Sequence, residues 1–147
     1  MQRHPALRRR LVVTTNGRLR AVSAALAFLV AGCATFTPPA TSAAPEVVLQ
    51  AYLDALVHGD CSAGKALGSA QFIQVGGGEL CGATKVKSFR IDAAAPSPFS
   101  DEVVYATTLV TTGSDDASVQ PGTLTWFYDL KLQPDGAWRL VGGGSGP

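Results

Sequence analysis

Histidine is nearly absent. The chain holds two, His4 and His58, and the first lies in a stretch that reads as a discarded leader. A nucleophilic triad needs a histidine base, and His58 alone stands in no such setting. Cysteine is almost as scarce, with three residues and no Cys-x-x-Cys or His-x-x-His spacing, which removes the usual zinc arrangements. Long apolar runs are missing too. The apolar core of the leader, Ala21 to Ala31, has 11 residues, well short of the roughly 20 that a transmembrane helix needs. Acids are absent from the first 20 residues, where six arginines occur.

That imbalance has a use. A basic segment, a short apolar core and small residues before a boundary form an export signal. The boundary reads "LVAGC", ending at Cys33, and it resembles the lipobox of bacterial lipoproteins. The resemblance implies a diacylglyceryl group on the Cys33 thiol and cleavage before it. Residues 1–32 are then the signal peptide and 33–44 the lipid anchor and a flexible tether, and 45–147 form one domain. The implied location is outside the cytoplasm, on the outer face of the cell membrane or on an outer membrane where one exists. Two acyl chains hold stably where one is marginal. Cleavage removes six of the twelve basic residues and none of the eleven acids, so the formal net charge passes from +1 to −5. No basic footprint for nucleic acid remains.

Export also sets the cysteine chemistry. With Cys33 carrying lipid, Cys61 and Cys81 remain, in an oxidising compartment, with a single possible pairing. Cys61 lies in "GDCSAGKA", Gly59 to Ala66. This misses the phosphate-cradling pattern G-x-x-x-x-G-K-[ST] by one letter, because Ala66 stands where the magnesium-binding hydroxyl belongs. A phosphate loop follows a strand, whereas this one follows a helical pattern, so its glycines and Asp60 read as turn and cap.

The helical pattern is "PEVVLQAYLDALVHGD". Leu49, Tyr52, Leu53, Leu56 and Val57 share one face, Pro45 suits the first turn and Gly59 the end. A shorter helix is expected over about Cys61 to Ala70. Before it, "ATFTPPATSAAP" reads as an extended or disordered tether. Strands are expected over Lys85–Ala93, Glu102–Thr112, "TLTWFYDLKL" and "AWRLVGG", with Asp-Gly turning the last hairpin. In the third strand Leu124, Trp126, Tyr128, Leu130 and Leu132 alternate with Thr125, Asp129 and Lys131. Helices first and strands after indicate an α+β fold with an antiparallel meander.

The helix "VVLQAYLDALVHGDCSAGKAL" followed by a sheet ending "WFYDLKLQPDGAWRLVGGGSGP" looks like the nuclear transport factor 2-like superfamily, which includes ketosteroid isomerase. The resemblance implies a curved sheet wrapped round the helices as a cone, with a pocket at the open end. Such folds host enzymes, binding proteins and adaptors, so the site must decide. Tyr52, Tyr105, Trp126 and Tyr128 are the candidate wall of an apolar ligand pocket, or else plain core. Asp54, Asp92 and Asp129 are the only acids an isomerase could use. Spacing turns Asp54 and His58 to solvent and Asp129 away from the aromatic face, so the family's catalytic acids have no match here. Phe127, on the polar sheet face, could mark a homodimer surface. The sequence therefore points to a non-enzymatic, lipid-anchored envelope protein that binds or scaffolds a protein partner, with no cofactor. A carrier or sensor of a small hydrophobic ligand is the second reading, and an unusual isomerase the third.

Overall fold

The computed structural model describes residues 36–74, 80–95, 97–115 and 119–146. The leader, Cys33 and the glycines 76–78 lie outside the described residues.

Helix α1 spans Pro45–His58, with Pro45 at its start and Glu46 in the first turn, where an acid faces the positive end of the dipole. Val48, Leu49, Tyr52, Leu53, Ala55 and Leu56 are buried along one side. Gly59 ends it in the left-handed conformation, φ 69°. The Gly59 N–H donates to Leu56 O at 3.1 Å and the Asp60 N–H to Ala55 O at 2.9 Å. This paired closure is the glycine-dependent Schellman ending. Asp60 then caps α2 (Cys61–Ala66), its carboxylate accepting from Ala63 N at 3.0 Å.

The single helix expected over 61–70 is two pieces. The chain leaves the helix at Leu67, and α3 covers Ala70–Gln74. Between them the backbone pairs with strand β4. Ser69 N donates to Leu140 O at 2.8 Å and Leu140 N donates to Leu67 O at 3.1 Å. An edge strand offers unpaired backbone groups, and here they are claimed by a chain segment about seventy residues away. The Ser69 hydroxyl then caps α3 by accepting from Phe72 N.

The sheet comprises β1 (Thr84–Ala95), β2 (Glu102–Ser114), β3 (Pro121–Leu132) and β4 (Trp138–Gly144), in order β1-β2-β3-β4 and all antiparallel. Tyr105 pairs with Tyr128, Thr107 with Trp126 and Leu109 with Leu124, which sets the inner face. Register shifts in β1 and opposite Asp129 in β3–β4 break the ladder locally, and such irregularities bend a sheet. The result is an α+β fold, three helices on one side of a curved antiparallel meander.

Helix α1 runs against β1. Its last turn and the start of β1, Thr84 to Val86, border a common cleft. The β1–β2 turn, with Phe99 60% exposed, lies at the far end of that hairpin. Part of the stretch read as a tether is laid on the domain. Residues 36–44 are not helix or strand, yet Phe36 and Ala43 pack against the core. Composition marked this segment as unstructured because it lacks charge and has three prolines. One aromatic side chain is enough to give it a seat. Among the described residues, no helix is long and apolar enough to cross a membrane.

Candidate functional site

The four aromatics singled out from the sequence meet in one apolar core. Tyr52 and Tyr128 are fully buried. Their rings pack edge to face at 5.4 Å between centroids. Phe72 of α3 packs on the other side of Tyr52, at 5.6 Å and again edge-on. The Tyr52 hydroxyl accepts from Leu80 N at 3.3 Å, tying α1 to the segment before β1. Tyr105 is buried, and burial, assisted by the Glu46 charge, raises its hydroxyl pKa. Trp126 is half-buried, and its indole N–H has no hydrogen-bond partner among the described residues. Phe72 was absent from the sequence reading of this region, because the break that creates α3 carries no local signal. Where the resemblance implied a cone pocket, side chains of α1, α3 and the sheet occupy the space between helix and strand.

The acids stand elsewhere. Asp54 is exposed on α1 and accepts from Gln50 Nε2 at 3.2 Å. Asp92 sits on the outer sheet face, held by the Thr108 hydroxyl at 2.6 Å and by the Arg90 guanidinium, and these bonds hold its pKa below the usual carboxylate value. Asp129 differs. It is half-buried on the outer face, opposite Gly142 of β4. A Cβ at Gly142 would come within 2.6 Å of the Asp129 carboxylate, so only glycine allows that approach. Burial raises the Asp129 pKa, and the Glu102 charge adds to the effect. As the alternation indicated, Asp129 faces away from the aromatic core. Its burial comes from the glycine-rich end of β4, where Gly142 has no side chain to hold the carboxylate off.

The "GDCSAGKA" corner is built as turn and cap. Gly64 is buried, a Cβ there would stand 3.6 Å from the Tyr52 ring, and Lys65 is exposed. Cys61 and Cys81 are bonded, with Cα atoms 5.3 Å apart. The bridge ties the start of α2 to the turn before β1.

Several clefts border this framework among the described residues. One of about 500 Å³ lies on the outer side of α1, with Ala51, Ala55 and Phe36 as apolar surface and Asp54, His58 and Asp60 as polar surface. A second, of about 290 Å³, runs beside the disulfide past Val57 and Lys85. A third, of about 170 Å³, separates Pro38 and Pro39 from Trp138. None of Tyr52, Tyr105, Trp126 and Tyr128 lines these clefts. Among the described residues, no three His, Cys, Asp or Glu side chains are grouped to hold a metal ion.

No protein-family model matches the chain, and no curated protein does. Solved structures do. The chain is similar to a nuclear transport factor 2-like protein from Cytophaga hutchinsonii, at 14% identity and a TM-score of 0.49, over 67% of this chain and 90% of that one. A ketosteroid isomerase-like protein from Erwinia carotovora is similar at 13% identity and a TM-score of 0.49, over 67% and 88%. A Δ5-3-ketosteroid isomerase from a Mycobacterium species is similar at 16% identity and a TM-score of 0.44, over 67% and 91%.

Proposed function

We propose that the chain is an exported, lipid-anchored cell-envelope protein whose domain binds rather than catalyses. The observation that carries the binding half is the aromatic interior. Tyr52, Phe72 and Tyr128 interlock where a substrate would have to sit, and the acid whose pKa is raised among the described residues, Asp129, faces the opposite way. The envelope half rests on the leader, with six arginines, an 11-residue apolar core and Cys33 two residues after it. The partner is an envelope protein or a second copy of the chain, and Phe127 on the outer sheet face is a candidate contact for the latter. An interior carrier of hydrophobic ligands is less favoured, since its cavity would have to be opened by moving Tyr52 or Tyr128.

Native mass spectrometry of protein extracted from membranes in mild detergent tests both halves. The expected species begins at Cys33, carries acyl chains there and lacks the two hydrogens of the Cys61–Cys81 bridge. An intact, unlipidated N-terminus would remove the envelope half. Isomerisation of an unsaturated ketone by the same preparation, lost in Asp129→Asn, would remove the non-catalytic half.

A further inference from the structure

We propose that the cleft on the outer side of α1 binds a small molecule with an apolar body and a cationic head. This adds a small-molecule site to the non-catalytic binding domain proposed above, beside its protein partner, and rests on that reading. The floor is made by composition. Ala51 and Ala55 stand one helical turn apart, and side chains four residues apart share a face. Two alanines in succession leave a trough between bulkier neighbours, and Phe36 forms its opposite wall. A volume of about 500 Å³ suits a small molecule.

The sign of the charge follows from three sources on one rim. Asp54 and Asp60 both border the cleft. Each carboxylate is only partly engaged. Asp54 Oδ2 accepts from Gln50 and Asp60 Oδ1 accepts from Ala63 N, while no hydrogen bond reaches Asp54 Oδ1 or Asp60 Oδ2 among the described residues. The C-terminus of α1 lies at the same rim and presents the negative end of the helix dipole. Among the described residues, no lysine or arginine lines the cleft. His58 completes the set. Its Nδ1 lies 2.7 Å from Asp54 O, and a carbonyl only accepts, so Nδ1 carries the hydrogen. An anion would meet two carboxylates and a helix carbonyl end, whereas an amine would meet acceptors on an apolar floor.

The test uses the full-length, membrane-extracted protein in nonionic detergent, with ¹⁵N label. It is titrated with 4-phenylbutylamine and, separately, 4-phenylbutyrate, which share an apolar body and differ in charge. Micelles without protein are the control. Amide shifts at Ala51, Asp54, Ala55 and Asp60 are expected to saturate with the amine, which should bind about tenfold more tightly than the acid. Asp54→Asn and Asp60→Asn should each weaken the amine about two- to fivefold, the range for exposed charge pairs, and Asn keeps the cap that Asp60 supplies. Ala51→Leu, a good helix former on a half-buried position, should fill the trough and abolish saturation. Equal binding of amine and acid, or binding untouched by Ala51→Leu, overturns the proposal. Shifts centred instead on Tyr52 and Tyr128 would also overturn it and would favour an interior carrier. The acyl mass on Cys33 and the absence of turnover are measured separately, so the cleft can fail while the envelope reading stands.

Discussion

Asp129 is the residue whose chemistry departs furthest from its surroundings. Its carboxylate lies against the Gly142 backbone, and burial together with Glu102 raises its pKa. A raised folded pKa means that the native state holds the proton more tightly than the unfolded chain. The charged form is therefore penalised on folding. That penalty is present above the folded pKa and is relieved as pH falls through it. Asp129→Asn removes the charge and keeps the shape. At pH 7 the variant should be more stable by less than about 1 kcal/mol, since the group is only half-buried and solvent screens it. The advantage should shrink as pH falls through the carboxylate range. Asp92 has the opposite sign. Its pKa is lowered by Thr108 and Arg90, so its contribution is present at neutral pH and fades as pH falls below the unfolded carboxylate value. Urea titrations of wild type and Asp129→Asn at pH 7 and pH 4 check this. A variant less stable than wild type at pH 7 would show that the Asp129 charge is stabilising.

Elements divide by how local their cause is. The limits of α1 were legible because Pro45 and Gly59 act within the helix itself, and the inner face of β3 was legible as far as Leu130 because alternation is a local pattern, whereas Leu132, at the end of the strand, is 38% exposed. The break at 67–69 was not. It depends on Leu140 of β4, which becomes a neighbour only after the sheet has formed. The aromatic wall was legible as a direction and not as a cavity. Periodicity states which way Tyr52 and Tyr128 point, whereas the filling of the space between them depends on Phe72, delivered by α3. The disulfide was legible because only one pairing remained, and it carries a prediction. It links residues 20 apart. Closing a loop of that size constrains the unfolded chain, a contribution of about 3 kcal/mol. The full chain with Cys61→Ala and Cys81→Ala should melt at least roughly 10 °C lower than wild type. It should also lose amide protection at Leu80, whose N–H bonds Tyr52 Oη. An unchanged melting temperature would mean that the α1–α2 corner is held by packing alone.

At the scale of the whole molecule, the proposed membrane attachment raises the question of which force would supply it. The full sequence has a formal net charge of +1, and the part beginning at Cys33 has −5, because six of the twelve basic residues lie in the leader and all eleven acids lie after it. Charge of that sign is repelled by anionic lipid, and the repulsion is felt only within a Debye length of about 10 Å at 0.1 M salt. Under the proposed reading, attraction would come from acyl chains on Cys33, whose free energy of insertion scales with buried methylene and is indifferent to salt. The lipid-bearing protein should therefore bind vesicles of purely zwitterionic lipid at least as well as vesicles containing phosphatidylglycerol. Raising salt should leave the first unchanged and slightly improve the second, by screening the repulsion. Vesicle flotation at low and high salt measures both. Binding that grows with the anionic fraction and collapses in salt would mean that a basic surface holds the protein there, and the role given to Cys33 would fall with that result.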